Sequence, residues 1–492
     1  MDVILTYDRE RMDALGSVEV MALIRQHMEK QVPEFMKLQD YYFGKHLISS
    51  KERKAPQSVA DAGITAPNAQ PVCNHAKDIA DTASGYFLGS PITYKLKGGQ
   101  DDKKTKDAFD SLNDYFDYAT VTDDDQENAL TLSICGKCYE YIYASEDGAY
   151  LEEKPIDPQN AFIVYDQSIE HTELFGVYYY TKKDALAQSA AAQKASEKVY
   201  FIVMTKTELK YYAVNIDAAN VPVAPYKIER HVLGQVPLIE YKNNRYCIGD
   251  FAQQIGLIDA YNTIMADRVN DIEQYIDKIL VIYGALLGGD SESSHEAMEK
   301  LRKERLLELP SDGAKAEYLL GQLDEDGVEV LRKAIKEDIY TFSHVPNLTD
   351  ENFVGNSSGV AMEYKLLGLE MLTKIKERWY RRGLRKRIAI FCNYLKIKGI
   401  NLDPSDVEPT FSRGLPKNLL EISQIINNLE GHVSEKTLLG LLPFVENPSD
   451  EVEALEAEQK EEGQRQQQTF GTTNEAGSDN EPPEAGVANG DE

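Results

Sequence analysis

The sequence predicts an α+β fold in which long helices follow a β-rich middle. Three observations predict it. Six short β-branched and aromatic runs crowd residues 138–233. Two apolar stripes of period three to four flank a mixed insert between residues 251 and 344. A third helical pattern, almost forty residues long, ends at Leu395, whereas helices in globular proteins average about three turns.

Taken in order, residues 1–85 read as mostly helical. Val20, Leu23, Ile24 and Met28 recur at helical spacing, and Pro33 sits near a boundary. A polar loop, KERKAPQSVADAGITAPNAQP, follows. A helix from Asn74, a glycine break at Gly85 or Gly89, and a strand over Pro91–Leu96 come next. Helices are then expected over Lys103–Ala119 and Asp123–Ser133, with Thr122 as N-cap and acids in the first turn. The runs CYEYIYA, AFIVYD, LFGVYYYT, VYFIVMT, LKYYAVN and YKIERHVL are separated by turn residues such as Asp157-Pro158, the pattern of a β-meander. The alanine-rich stretch Lys182–Lys198 reads as an exposed helix inserted between two strands.

From Phe251 the period is helical again. Ile255, Ile258, Tyr261, Met265, Val269, Ile272, Ile276 and Ile279 form one stripe, with Asp267, Asp271 and Asp277 off it. A second helix over Asp326–His344 carries Val328, Leu331, Ile335, Ile339 and Phe342 on one face, and Pro346 ends it. The insert Val281–Leu323 contains one charged helix, SSHEAMEKLRKERLLEL. Two long helices joined by a compact insert form a stalk with a cap at one end.

The polar, glycine-dotted loop Asn347–Ser358 feeds the longest helix, Gly359–Leu395, which spans roughly 55 Å at ~1.5 Å per residue. Its first half is apolar. Its second half is basic, through Lys374, Arg378, Arg381, Arg382, Arg385, Lys386 and Arg387. That basic run reads either as a solvated or inter-subunit salt-bridged face or as a positive stripe facing phosphates. The interleaved Trp379, Tyr380 and Phe391 argue that much of it packs against protein. Residues 399 to about 445 form a small helical unit, with Pro416 near the start of one helix and Ser434 capping another. The acidic tail, 461–492, is rich in Gly, Pro and Gln and reads as disordered.

The formal net charge of -29 over 492 residues repels free nucleic acid and anionic membranes unless basic groups are focused locally. Five scattered cysteines without a secretory signal indicate a reducing compartment. The longest apolar run, ILVIYGALLGG, is too short to span a bilayer, so a soluble cytoplasmic protein is expected.

Two motifs invite chemistry. GNSSG at Gly355–Gly359 matches the G-x-S-x-G elbow around Ser357, but the elbow needs a buried strand before it, and NLTDENFV cannot supply one. A mobile loop and a helix cap at Ser357 or Ser358 is the plainer reading. CGKC has the spacing of a redox pair or half a zinc site, but no second pair exists, and a helix ends where a thioredoxin-like site would start one. Cys135 and Cys138 are therefore read as structural thiols. No phosphate-binding P-loop occurs, the histidines are isolated, with His75, His231 and His344 read as structural, and the acids Asp123–Asp125 read as a solvated face. No catalytic, metal or cofactor site is expected, and the chain is not expected to be an enzyme.

Several segments nevertheless carry a resemblance. They are YYFGKH at Tyr41–His46, PNAQPVCNHAKDIADTASGYFLGSPITY at Pro67–Tyr94, LGQVPLIEYKNNRYCIGDF at Leu233–Phe251, LIDAYN at Leu257–Asn262 and, above all, NFVGNSSGVAMEYKLLGLE at Asn352–Glu370. Together they resemble the portal proteins of tailed bacteriophages, in the branch found in siphophages of Gram-positive hosts. The match runs from about Tyr41 to Glu458; the alanine-rich insert and CGKC depart from it.

The resemblance implies a ring, usually dodecameric, at one capsid vertex, through which double-stranded DNA is packaged and later ejected. It implies that residues 1–85 are the helical part of a wing and 86–247 its β-rich part. Residues 248–280 and 325–346 become stem helices, 281–324 a clip, 347–358 a tunnel loop, 359–398 a tunnel helix and 399–460 a crown. Ile258, Met265, Val269, Ile272, Ile276, Leu331, Ile335 and Ile339 become subunit-packing residues of the stem. Asn347, Asp350, Glu351, Asn352, Gly355, Asn356, Ser357 and Ser358 would face the DNA. Glu299, Lys300, Arg302, Lys303 and Arg305 of the clip would dock terminase and then the head–tail adaptor. Capsid and scaffolding proteins complete the implied partners, with no membrane and no cofactor; the implied place is the virion, after assembly in the host cytoplasm. The rival readings are a hydrolase using Ser357, a thiol oxidoreductase using Cys135 and Cys138, and a phage connector or scaffold without a channel.

Overall fold

Capping and steric rules set the helices of the N-terminal region. The computed structural model describes residues 4–52, 68–97, 102–182, 198–216, 220–276, 279–283, 315–319, 325–349, 359–413, 419–442 and scattered positions from 445 to 460. Helix α1 (Ser17–Lys30) starts where the Glu19 carboxylate accepts the Gly16 N–H at 3.0 Å, and buries Val20, Met21, Leu23 and Ile24. Met28, expected on the same stripe, is exposed. Helix α2 (Val32–Tyr42) restarts after Gln31 because Pro33 lies in its first turn, where the missing N–H costs nothing. Asn74 caps α3 (His75–Leu88) by accepting the Lys77 N–H at 3.0 Å. Gly85 does not break this helix, and Gly89 ends it.

Helices α4 (Lys103–Tyr118) and α5 (Val121–Cys135) follow as expected, except at their junction. The cap of α5 is Thr120, not Thr122, and it holds a left-handed φ of 56°. The chain reverses there within a few residues, and a left-handed corner achieves that. Gly136, at φ 79°, ends α5, and a Cβ on it would lie 2.1 Å from the Cys247 carbonyl oxygen. Only glycine meets both conditions.

The strands are β1 (Leu5–Tyr7), β2 (Thr93–Leu96), β3 (Lys137–Ala144), β4 (Leu151–Ile156), β5 (Ala161–Asp166), β6 (Glu173–Lys182), β7 (Lys198–Met204), β8 (Glu208–Asn215), β9 (Lys227–Arg230), β10 (Leu238–Lys242), β11 (Ile279–Tyr283), β12 (Lys315–Leu319) and β13 (Val407–Thr410). The meander is present as β5-β6-β7-β8-β9, and β1 joins its edge parallel to β5. The first run of the expected meander departs from it. CYEYIYA forms β3 in a separate sheet of order β10-β3-β4. β4, with Glu152, Glu153, Lys154 and Pro155, has no strand signature and was not expected from the pattern.

Among the described residues, three apolar clusters hold these layers. The first lies between α1 and one face of the six-stranded sheet, around Ile24, Phe162, Phe175 and Phe201. The second lies between the two sheets, around Tyr139, Ile163 and Leu238, where Gly176 leaves room for Leu238. The third and largest joins α3, α4, α5, β3 and β10 to the last long helix, α8 (Gly359–Ile397, 39 residues). Before α8, α6 (Ile255–Ile276) packs beside α7 (Glu325–Ser343), and β11 pairs antiparallel with β12 at the far ends of these helices. β13 pairs with β2, which keeps residues 407–410 in the compact unit Met1–Gly414.

A second unit, Leu415–Glu492, contains α9 (Leu419–Leu429) and α10 (Glu435–Leu439). Ser434 is the N-cap of α10, with its hydroxyl on Thr437 rather than on a backbone N–H. Of the expected alanine-rich helix Lys182–Lys198, the end residues belong to β6 and β7 and residues 183–197 lie outside the described residues, as do the charged helix of the insert, Pro416 and the acidic tail. No helix among the described residues is long and apolar enough to cross a membrane.

Candidate functional site

Helix α8 organises the site, and its two halves differ in an unexpected direction. One face of the basic C-terminal half lies inside, with Lys376 and Arg387 buried. Arg387 is 0% exposed. Its Nη2 donates to Asp125 Oδ1 at 2.8 Å and to Glu140, and its Nε donates to Glu140 Oε1 at 3.0 Å. The Glu153 carboxylate lies 3.3 Å from Nε. The acids come from α5, β3 and β4, so one guanidinium ties three elements to α8.

Tyrosines complete the cage. Tyr380 donates to Asp125 at 2.6 Å, and Tyr241 donates to Glu140 at 2.8 Å. The two rings stack with centroids 4.4 Å apart. Gly383 makes that stack possible, because a Cβ there would sit 2.3 Å from Tyr241 Cε1. Three carboxylates face one cation. Burial accordingly pushes the Glu153 carboxyl well up and raises Asp125 as well, in spite of the attraction of Arg387.

Other ion pairs repeat the pattern. Lys376 pairs with Asp250 and donates to the Ser133 hydroxyl at 3.1 Å. Lys386 pairs with Glu173 and donates to the Leu238 carbonyl at 2.8 Å; burial lowers its ammonium pKa. Arg413 grips Glu370 at 2.7 and 3.0 Å and pairs with Glu377, which holds Glu370 below the usual carboxylate range. Asp125, assigned from the sequence to a solvated face, is 4% exposed, because Arg387 draws it inward.

The apolar N-terminal half lies outside on one face. Leu366 and Leu369 are buried, yet Tyr364, Leu367, Met371 and Ile375 are 75, 52, 62 and 44% exposed. Arg378, Arg382 and Arg385 continue the same face and are exposed.

The paired helices α6 and α7 divide similarly. Ile258 and Ile339 are fully buried within the chain. Met265, Val269 and Ile335 are half-buried, whereas Ile272 and Leu331 are exposed. Ile276 lies in α6, with its side chain outside the described residues. Glu329 clamps the pair: it accepts from Arg268 at 2.8 Å and from Arg332 at 2.6 and 2.9 Å, which holds its carboxyl down to about 2. Arg332 also donates to Tyr261 at 2.7 Å.

Of the loop candidates, Asn347 is described; its side-chain oxygen accepts the Thr349 hydroxyl at 2.8 Å. Asp350, Glu351, Asn352, Gly355, Asn356, Ser357 and Ser358 lie outside the described residues, as do Glu299, Lys300, Arg302, Lys303 and Arg305. The residues leading toward Ser357, 345–349, form no strand. CGKC is the α5–β3 corner. Cys135 and Cys138 are buried, and burial pushes both thiols up, away from the reactive thiolate. His75 contacts the Tyr340 hydroxyl at 3.2 Å, His231 contacts the Thr205 carbonyl at 2.9 Å, and the His344 ring lies against Gly368.

The three acids around Arg387 escaped the sequence reading. A heptad-like spacing flags a helix face, but no local signal pairs residues 125, 140, 153 and 387 across the chain.

Comparison with known proteins places these features in a family. The family model described as phage portal protein, SPP1 Gp6-like, matches residues 22–465. The portal protein of Bacillus phage SPP1 is 23% identical over 485 residues, covering 95% of this chain and 92% of that protein. The portal protein of Clostridium phage phiCD119 is 20% identical over 446 residues, covering 87% and 92%. A match that takes in β2 to β13, the α6–α7 pair and all of α8 leaves one conclusion: the chain belongs to the SPP1 Gp6-like family of phage portal proteins.

Proposed function

We propose that the protein forms a closed ring, of the dodecameric kind, at one vertex of the capsid, and that double-stranded DNA is packaged and later ejected through its central channel. One observation carries the reading beyond the family match. The long helices leave apolar residues uncovered: Ile272 on α6, Leu331 and Phe342 on α7, and Tyr364, Leu367, Met371 and Ile375 on α8. Such faces call for a partner. Identical subunits joined through two different faces make head-to-tail contacts, which close into a ring when the rotation between neighbours closes.

In this reading α6 and α7 are the stem and α8 the tunnel helix. Residues 281–324 are the clip that docks terminase and then the head–tail adaptor, and the sheets belong to the wing, toward capsid and scaffolding proteins. The loop 347–358 narrows the channel around DNA, and its acids, Asp350 and Glu351, keep the grip weak. The portal family is structural, and no bond-breaking role is assigned to Ser357, Cys135 or Cys138. The protein acts in the virion after assembly in the host cytoplasm.

Negative-stain images of purified protein test the reading. Rings with a central hole are the expected result. Monomers at every salt and protein concentration, with no assembly in the presence of capsid partners, contradict it. Shortening the 347–358 loop is expected to leave rings intact and to reduce packaged DNA length.

A further inference from the structure

Two charged stripes on this chain are exposed, opposite in sign and similar in length. The basic one lies on α8. Arg378, Arg382 and Arg385 follow i, i+4, i+7 spacing, so they share one face of the helix. All three are exposed, and none makes an ion pair among the described residues; Arg382 lies over the Trp379 ring at 4.1 Å. Lys374 extends the stripe by one turn, with a loose contact to Glu370 at 3.5 Å. From Lys374 to Arg385 the stripe runs about 16 Å at ~1.5 Å per residue.

The acidic stripe lies on α4. Asp107, Asp110, Asp114 and Asp117 follow i, i+3, i+7, i+10 spacing, again a single face. All four are exposed and have no ion-pair partner among the described residues. The opposite face of α4 buries Ala108, Leu112 and Phe116, which fixes the acids outward. This stripe runs about 15 Å. Among the described residues, each stripe therefore lacks the partner that the other would supply.

We propose that the acidic face of α4 in one copy seats on the basic face of α8 in the next copy, as one head-to-tail contact of the assembly. The inference rests on the ring reading and specifies which two surfaces meet. A second copy suits the basic stripe better than a nucleic-acid backbone does, for two reasons. The stripe continues without a break into the exposed apolar residues Tyr364, Leu367, Met371 and Ile375, which a protein surface covers and a phosphate chain does not. The chain also carries a net charge of -29, which repels DNA at long range, while the matching acids are supplied by every neighbour.

Charge exchange tests the contact. R378E/R382E/R385E and D107K/D110K/D114K are made separately and together in the full chain. Association is measured by sedimentation at low and high salt. All six side chains are exposed, so circular dichroism and melting are expected to match wild type. Each single-face reversal is expected to raise the subunit concentration for half-assembly by about tenfold, the scale of several exposed pairs acting together. The combined variant is expected to return to within about twofold of wild type. Wild-type association is expected to weaken with salt as the charges are screened.

Rings that are indifferent to both reversals overturn the contact and leave the ring reading standing. Salt-sensitive open chains that show the compensation uphold the contact and sink the ring. Reversals that add instead of cancelling overturn the contact. So does unchanged assembly together with lost binding of a 30-base-pair duplex by the arginine variant, which would give the stripe to DNA.

Discussion

The two halves of α8 depart from hydropathy in opposite ways: the second buries Lys376 and Arg387 among its apolar residues, and the first leaves Tyr364, Leu367, Met371 and Ile375 exposed. One face of the half from Lys376 to Leu395 is held in the core through Lys376, Lys386 and Arg387, while Arg378, Arg382 and Arg385 stay outside; the half from Met362 to Ile375 exposes tyrosine, leucine, methionine and isoleucine. The difference teaches what each half is for. A buried charge is tolerated only when paired and hydrogen-bonded, and Arg387, Lys376 and Lys386 all are. In the ring reading, the contiguous exposed apolar face of the first half is the surface offered to another subunit. One half anchors the helix, and the other is offered outward.

The comparison breaks most sharply at Arg387. Arg387→Ala leaves Asp125, Glu140 and Glu153 uncompensated in the core. A loss of roughly 3–5 kcal/mol in unfolding by urea is expected. Arg387→Lys is expected to rescue little of it, because a single ammonium cannot reproduce the planar fork that serves several carboxylates. A loss under about 1 kcal/mol for Arg387→Ala would show the anchor to be ornamental.

Gly383→Ala comes next. The added methyl meets the Tyr241 ring at 2.3 Å, which forces helix and strand apart. A cost of about 1–3 kcal/mol in thermal or chemical unfolding is expected.

Glu153→Gln sharpens the comparison through pH. Burial raises the Glu153 pKa above its ordinary 4.5, so the fold favours the neutral acid. That contribution is fully present below 4.5 and is lost as pH rises through the raised value. Unfolding followed across pH is expected to show the glutamine variant similar to wild type in acid and relatively more stable in alkali. A parallel pair of pH curves would remove the buried neutral acid from the account.

The smallest effect on stability falls in the outer half. Met371→Asp and Leu367→Ser are expected to move unfolding by about 0.5 kcal/mol or less, while assembly measured by sedimentation is sharply weakened. Normal assembly of both variants would assign this face to solvent.

How much of this was legible in the sequence depended on range. The long helix, the α6–α7 pair and the meander strands were readable because their periodicity is local. β1 and β4 were not: one is three residues that pair across the chain with Leu5 opposite Val164, and the other carries Glu152, Glu153, Lys154 and Pro155. The basic run admitted a solvated or inter-subunit salt-bridged face and a stripe facing phosphates, because a lysine or arginine reads as surface until its partner is known. Trp379, Tyr380 and Phe391 hinted at packing, and Tyr380 and Phe391 are buried. The acids that complete the anchor come from positions 125, 140 and 153, and only the fold brings them to Arg387.

Amide hydrogen exchange across α8, compared between unassembled and assembled protein, tests the central claim most directly. Amides from about Tyr380 to Leu395 are expected to exchange slowly in both states, because the ionic core holds them. Those from about Tyr364 to Ile375 are expected to exchange faster in the free subunit and to slow markedly on assembly. Equal protection of both halves in the free subunit, unchanged by assembly, would contradict the division of the helix into an anchor and an offered face.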